Sequence, residues 1–138
     1  MVTRTAALEE PGYASFAAAT RGSVEEFKVY KELERRGLTP GVDFQFGADR
    51  AGGLSNIGNA KIQFFVPIAR VALRVQGEFW ATRPRAARLN DLLQKLFWEG
   101  RGWFVADLLA QEIEQNVRRV VGLALTHRNT PAAEAALK

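Results

Sequence analysis

The chain has 138 residues, which is enough for one domain built around a single hydrophobic core. Hydrophobic residues make up 47% and charged residues 25%, a globular composition that argues against disorder as the main state. The formal net charge of +4 is compatible with a polyanionic partner such as nucleic acid, although many proteins without one carry a similar charge.

The residue types that the chain lacks exclude several kinds of site. It has no cysteine, which excludes disulfides, thiolate metal sites and cysteine nucleophiles. His127 is its single histidine, which argues against a zinc site with several histidines and against a histidine-based triad. No apolar run approaches the ~18–20 residues that span a membrane. We therefore expect a soluble protein that stays in the cell or in a particle assembled there.

The two ends differ in composition from the middle of the chain. Residues 1–21 are rich in alanine and threonine, with Pro11-Gly12 as a helix breaker, and residues 126–138 are polar and then alanine-rich. We expect extended terminal arms that are ordered only where something holds them. Residues 22–125 are the predicted folding domain.

The first helix is predicted from its caps. Ser23 and Glu26 have the spacing of a capping box, and Gly37 is a helix-ending residue. The apolar stripe between them consists of Val24, Phe27, Tyr30 and Leu33.

Three strands are predicted next. Residues 42–46 alternate like a strand, and the glycine-rich residues 47–59 form a loop. Residues 60–66 and 71–76 also alternate. A short connection that begins at Pro67 joins them, and this arrangement predicts a hairpin. In the first of these two strands, one face carries Ala60, Ile62, Phe64 and Val66, and the other carries Lys61, Gln63 and Phe65.

The last part of the chain predicts a helix, a strand and a helix. Residues 82–99 are predicted to form the second helix of the chain, followed by a short buried strand at 103–105. The apolar positions of this second helix are Leu89, Leu92, Leu93, Leu96 and Phe97, and those of the final helix are Ile113, Val117, Val120, Val121 and Leu125. The order helix, three strands, helix, strand, helix predicts a mixed α/β layer structure.

One short motif carries candidate chemistry. Gln76 and Glu78 follow a hydrophobic strand on one face, with a glycine between them. Gln63 on the neighbouring strand and Glu26 at the first helix could add oxygen ligands for Mg²⁺. A metal held there would polarise a phosphodiester and generate hydroxide.

The chain resembles a family of small phage and prophage proteins of the PD-(D/E)XK nuclease type. The resemblance covers residues 22–125, and its motifs are GSVEEFKVY from Gly22, GVDF from Gly41, GNAKIQF from Gly58 and RVQGEFW from Arg74. It implies the fold of restriction enzymes and very short patch repair endonucleases, with a central mixed sheet of about four strands flanked by helices. In such relatives, an aspartate near the end of the strand equivalent to 60–66 is the essential metal ligand.

This sequence departs from that pattern at the site. Gln63 replaces the essential aspartate, and Ala81 replaces the histidine that often follows the tryptophan. Glu78 stands where a lysine is expected, although some nucleases of this fold function with an acid there. The resemblance therefore implies a remnant catalytic site of Glu26, Gln63, Gln76 and Glu78, with Glu78 and Gln63 as the candidate metal ligands.

Each of these residues also has a purely structural interpretation. Glu26 could only cap the helix, Glu78 could pair with Arg74, and Gln63 could hydrogen-bond Gln76. The basic residues after the motif could contact phosphates or simply form a solvated helix face; they include Arg83, Arg85, Arg88 and Lys95.

Three functions remain open at this stage. The first is a catalytically degenerate nuclease-fold protein that serves as a virion structural, assembly or DNA-contacting component. It would bind other phage structural proteins or self-associate through its terminal arms, without a cofactor or a membrane. The second is an active Mg²⁺-dependent DNA endonuclease with a variant site, and the third is a plain DNA-binding module.

Overall fold

A computed structural model describes residues 10–20, 22–47, 62–77 and 80–137. Within these ranges the chain forms a four-stranded mixed sheet and five α-helices, which confirms the predicted mixed α/β class. The strands are β1 (Gln45–Phe46), β2 (Phe64–Val66), β3 (Val71–Gln76) and β4 (Phe104–Leu109). The helices are α1 (Tyr13–Thr20), α2 (Val24–Arg35), α3 (Arg85–Glu99), α4 (Ala110–Leu125) and α5 (Pro131–Leu137).

Helix α2 begins and ends as its sequence predicts. The Ser23 hydroxyl accepts a hydrogen bond from the Glu26 backbone N–H at 3.1 Å, and the Glu26 carboxylate accepts one from the Ser23 N–H at 2.8 Å. At the other end Gly37 has φ of +87°, and the Leu38 N–H donates to the Leu33 carbonyl at 3.1 Å. The left-handed glycine and this bond satisfy carbonyls that the helix end leaves open.

The sheet has the strand order β1-β2-β3-β4. The predicted hairpin is confirmed, since β2 runs antiparallel to β3, and β1 runs antiparallel to β2. Strand β4 runs parallel to β3, which requires a crossover connection, and α3 lies in that connection. The four strands therefore form a meander of three followed by one parallel crossover.

The strand predicted at residues 42–46 is shorter than expected. Only Gln45 and Phe46 pair with β2, while Val42 is 74% exposed. The reason is a turn in which Asp43 accepts a hydrogen bond from the Thr39 N–H at 2.7 Å. Local side-chain bonding of this kind competes with extended structure.

The sheet separates two hydrophobic clusters. The larger cluster joins one sheet face to helices α2 and α4, and it includes Leu33, Phe64, Leu73, Ala106 and Val121. The smaller cluster lies on the α3 side and consists of Ile62, Phe65, Ala72, Trp98 and Val105, with Phe97 and Trp103 packed against it. The result is a helix–sheet–helix arrangement, with α2 and α4 packed on one face of the sheet and α3 on the other.

The prediction that Ile62 shares a face with Phe64 and Val66 is wrong. Ile62 belongs to the cluster on the α3 side, whereas Phe64 belongs to the opposite one. The Gln63 N–H donates to the carbonyl of Leu73, the residue that is already paired with Phe64. Two residues thus oppose one, as in a β-bulge, and the alternation of side chains breaks at Gln63.

Within the described residues, the terminal segments are helical rather than extended. In α1 the buried Phe16 contacts the rings of Phe27 and Tyr30, with centroids 5.0 and 5.3 Å apart. In α5 the buried Ala133 N–H donates to the Thr130 hydroxyl at 3.2 Å. Composition alone suggested extended arms because one or two buried residues per segment leave little trace in it.

Helix α4 contains a break that its apolar pattern does not reveal. Asn116 has non-helical dihedral angles, φ −163° and ψ 83°, and its side-chain oxygen accepts a hydrogen bond from the Arg119 N–H at 3.1 Å. Asn116 therefore caps the second half of α4 in the manner of a helix start.

Helix α3 presents its leucines to solvent. Leu89, Leu92, Leu93 and Leu96 are 48–58% exposed, whereas Asp91, Gln94 and Trp98 are buried against the sheet. None of the helices in the described part of the chain is long and apolar enough to span a bilayer.

The capping box of α2 provides a direct test of the local structure. We expect Ser23→Ala to lower the free energy of unfolding by about 1 kcal/mol, because the Glu26 N–H loses its acceptor. Urea denaturation measures this change. Ser15→Ala, at an exposed position of α1, is the control and should change stability by less than about 0.5 kcal/mol.

Glu32 gives stability a pH dependence. Hydrogen bonds from Arg35, and then from Arg36, hold the pKa of the Glu32 carboxyl below its usual value, with the donors 2.7–2.8 Å from its oxygens. A lowered pKa contributes stability above the unfolded-state value, which is lost as the pH falls through the folded-state value.

We therefore expect Glu32→Gln to be less stable than the parent protein by about 1 kcal/mol at neutral pH. The difference should shrink below about pH 4.3, where glutamate protonates in an unfolded chain. Denaturation curves at several pH values measure it. Glu34→Gln is the matched control, because the surface ion pair between Glu34 and the exposed Lys31 should contribute little.

Candidate functional site

Gln63 lies at the bulge before β2, and its side chain is bonded to the neighbouring strand. The amide oxygen accepts a hydrogen bond from the Val75 backbone N–H at 2.8 Å, and the amide nitrogen lies 3.5 Å from the Val75 carbonyl oxygen. The Gln63 side-chain amide thus pairs with the β3 backbone as a peptide group of a neighbouring strand would. Its oxygen, the atom that would ligate a metal, is oriented towards a backbone donor.

Gln76 is the last residue of β3, and it is buried. Its amide nitrogen donates to the carboxylate of Asp107 on β4 at 2.9 Å. The predicted hydrogen bond between Gln63 and Gln76 is therefore replaced by two separate contacts. The bulge is the physical reason, because it directs the Gln63 amide to the β3 backbone while Gln76 faces α3.

Glu26 lies at the start of α2 and acts as a helix cap. Its carboxylate is bonded to the Ser23 N–H. Glu78, the remaining predicted ligand, lies outside the described residues. Its predicted alternative partner, Arg74, is bonded to other groups.

Arg74 and Asp107 form a buried ion pair between the parallel strands β3 and β4. The exposed fractions of the two residues are 0% and 1%. The pairing is bidentate, with Arg74 Nε 2.6 Å from Asp107 Oδ1 and Arg74 Nη2 2.8 Å from Asp107 Oδ2. Arg74 Nη1 donates to the Asp91 carbonyl and to the Gln94 side chain of α3, both at 3.0 Å.

The Asp107 backbone is also satisfied. Its N–H donates at 2.8 Å to the side-chain oxygen of Asn129, which follows α4 and covers this part of β4. With Gln76 bonded to the same carboxylate, the charges of the ion pair meet hydrogen-bonding groups from β3 and from α3. A buried pair is tolerated only with such additional bonds, because burial removes the water that would solvate each charge.

Sequence reasoning missed this network, although a signal for it exists. Arg74 and Asp107 interrupt two otherwise hydrophobic strands, VALRVQ and FVADLL, at core-facing positions. Opposite charges at interior positions of two strands indicate a buried pair. Their pairing could not be assigned without the register, which places Arg74 opposite Asp107.

A second polar cluster lies at the start of α3. The buried Asp91 carboxylate accepts hydrogen bonds from the Trp80 indole at 3.2 Å and from Arg83. The Arg83 guanidinium lies 3.9 Å from the centroid of the Trp80 ring and donates to the Trp80 carbonyl at 2.7 Å. Arg83, predicted to bind nucleic acid, is thus bonded within the protein.

The other predicted nucleic-acid residues lie along α3. Arg85 and Arg88 are exposed. Lys95 is largely covered, with its ammonium 3.8 Å from the Glu99 carboxylate and 5.9 Å from the centroid of the Phe104 ring. The structure therefore leaves two of the four predicted cations, Arg85 and Arg88, presented to solvent.

Within the ranges that the structure covers, no three acidic or histidine side chains gather as a metal-binding group. Asp107 and Asp91 are each paired with an arginine. Comparison of the chain with known protein families, curated proteins and solved structures gave no match.

The buried pair can be tested by comparing a single and a double variant with the parent protein. We expect Arg74→Met to cost about 3–5 kcal/mol in the free energy of unfolding, because it leaves the Asp107 carboxylate buried without its counter-charge. The double variant Arg74→Met/Asp107→Leu should recover most of that loss. Chemical denaturation measures all three proteins, and a double variant as unstable as the single one would contradict this account.

Proposed function

We propose that this chain is a catalytically degenerate nuclease-fold protein of phage type that contributes to virion structure or assembly and contacts DNA without cleaving it. The resemblance to phage nuclease-like proteins supplies the fold expectation. A four-stranded mixed sheet flanked by helices supports the proposal at the level of fold class.

The observation that carries the proposal is the neutral side chain at Gln63 and its hydrogen bond to the β3 backbone. The relatives place an essential aspartate there, and this chain has a neutral amide whose oxygen accepts the Val75 N–H. Mg²⁺ prefers carboxylate oxygens at about 2.0–2.1 Å. An uncharged oxygen that already faces a backbone donor is a poor replacement for such a ligand.

The electrostatics of the neighbouring residues point the same way. Asp107 lies close to Gln76, but Arg74 neutralises its charge through two bonds. Glu26 is bonded to the Ser23 backbone, which is a structural role. The described motif residues thus bring little uncompensated negative charge to the place where a divalent cation would bind.

DNA contact is proposed from Arg85 and Arg88. Both lie exposed in the first turn of α3, where they could contact successive phosphates. Contacts of this kind have no sequence preference and weaken with salt.

The cleavage test uses supercoiled DNA with Mg²⁺ or Mn²⁺ and three proteins. We expect no nicking by the parent chain, because position 63 lacks a carboxylate, and gel electrophoresis measures the nicked fraction. Gln63→Asp restores the charge and is expected to raise metal-dependent nicking above the parent level. Glu78→Ala is the control for contaminating nucleases.

Nicking by the parent protein that disappears in Glu78→Ala would overturn the proposal in favour of the Mg²⁺-dependent endonuclease. Nicking that persists in Glu78→Ala would identify a contaminating nuclease, and the test would then be repeated with repurified protein.

The DNA-contact part is tested by titration at several salt concentrations. Arg85→Ala/Arg88→Ala should weaken binding to any duplex and reduce the salt slope of the binding constant by about 1.8. Arg128→Ala, exposed beyond α4, is the control and should change binding little. An unchanged slope in the double variant would exclude α3 as the DNA-contacting surface.

A further inference from the structure

Helix α3 turns polar side chains towards the sheet and leucines towards solvent, which is the reverse of an ordinary core helix. Leu89, Leu92, Leu93 and Leu96 occupy an arc of about 100° on the helix surface. They are 48–58% exposed, and the arc lies opposite the buried Asp91 and Gln94. We call these four residues the leucine stripe.

The inversion has a cause inside the fold. Helix α3 must turn Gln94 and the Asp91 carbonyl towards Arg74, which requires them as acceptors, and the leucines consequently face outwards. Fully burying a leucine side chain contributes about 1.5–3 kcal/mol. Four adjacent leucines left in water are therefore costly, and contiguous patches of this kind commonly mark interaction surfaces.

We propose that the leucine stripe is a homodimer interface, in which α3 of a second copy packs antiparallel against it. This proposal does not depend on the loss of catalysis. It supplies the assembly role with a surface other than the terminal arms expected from the sequence.

The stripe is arranged symmetrically along the helix. Leu92 and Leu93 lie on either side of a midpoint, and Leu89 and Leu96 lie at equal distances beyond them. An antiparallel two-fold pair centred at that midpoint places Leu92 against the partner's Leu93 and Leu89 against the partner's Leu96. The same patch then serves both copies, as a two-fold interface requires.

The charges beside the stripe select the second copy and its direction. Arg85 begins α3 and Glu99 ends it, with both on the same flank of the stripe. This order opposes the dipole of the helix itself, which favours acids at the start and bases at the end. Antiparallel pairing reverses the effect, because Arg85 then lies beside the partner's Glu99 and the negative end of the partner's helix.

A parallel pair would instead place Arg85 against the partner's Arg85. The contact between Glu99 and Lys95 within one chain does not prevent the antiparallel pairing, because it is long at 3.8 Å and the Glu99 side chain remains 36% exposed. A single helix stripe covers less than the ~800 Å² per partner of a standard interface, so we expect dimerisation in the micromolar range.

Analytical ultracentrifugation of the full chain over a concentration series tests the interface. We expect a monomer–dimer equilibrium, and Leu92→Gln/Leu93→Gln should weaken it at least about tenfold. Val42→Gln, at an exposed position away from α3, is the matched control. Circular dichroism checks that each variant folds, which we expect because the substituted side chains are exposed.

Charge reversal tests the direction of pairing. Arg85→Glu and Glu99→Arg should each weaken the dimer, because each places like charges side by side, and Arg85→Glu/Glu99→Arg together should restore it. In a parallel pair the double variant would still place like charges together, and no restoration would follow.

The absence of cysteine makes disulfide trapping specific. An equimolar mixture of Leu89→Cys and Leu96→Cys proteins should form a mixed disulfide dimer on mild oxidation. Leu89→Cys alone should not, because two copies of that position would lie about 10 Å apart along the axis, beyond the reach of a disulfide.

Three results would overturn the proposal. These are a monomer at every concentration, a dimer unaffected by Leu92→Gln/Leu93→Gln, and preferential disulfide formation between identical positions. Binding of the parent chain to anionic lipid vesicles without any dimer in solution would assign the stripe to a lipid surface instead. The nicking assay reads position 63 and the dimer tests read the leucine stripe, so the loss of catalysis and the dimer interface can fail independently.

Discussion

The buried ion pair between Arg74 and Asp107 constrains the rest of the α3 side of the sheet. Both charges lie in the interior, where no water solvates them, so each remaining hydrogen-bonding position must meet a protein group. Gln76 meets Asp107 from the same strand as Arg74, and Gln94 meets Arg74 from the helix above. The pair therefore fixes both the β3–β4 register and the rotation of α3 about its own axis.

The same constraint shapes the candidate site at the end of β3. Asp107 supplies a carboxylate next to Gln76, but this carboxylate is paired with Arg74 inside the protein. The Gln76 side-chain amide also donates a hydrogen bond to it. Gln63 is held separately by the β3 backbone. Interactions that stabilise the fold thus engage Gln63 and Gln76, two of the residues that the sequence suggested for the site, which is the physical basis for proposing a degenerate site.

The outward consequence of the ion pair is the leucine stripe. A helix with one polar and one apolar face normally buries the apolar one. Here the polar side supplies acceptors to a buried arginine, and four leucines are left on the surface. The inner polar face of α3 would then stabilise the monomer, while its outer apolar face would support assembly.

The sequence alone determined the local features whose signals are short in range: the α2 caps at Ser23 and Gly37, the β2–β3 hairpin and the mixed α/β order. The proposal that Gln63 stands at a ligand position also came from the sequence alone, through its resemblance to phage nuclease-like proteins. The direction of Ile62, the partners of Gln63 and Gln76, and the outward rotation of the leucines required the tertiary structure. The directions of Ile62 and Gln63 depend on the β-bulge, whereas those of Gln76 and the leucines depend on the buried pair of Arg74 and Asp107, which lie 33 residues apart in the chain. Hydrophobic periodicity carries no information about which distant polar groups must meet.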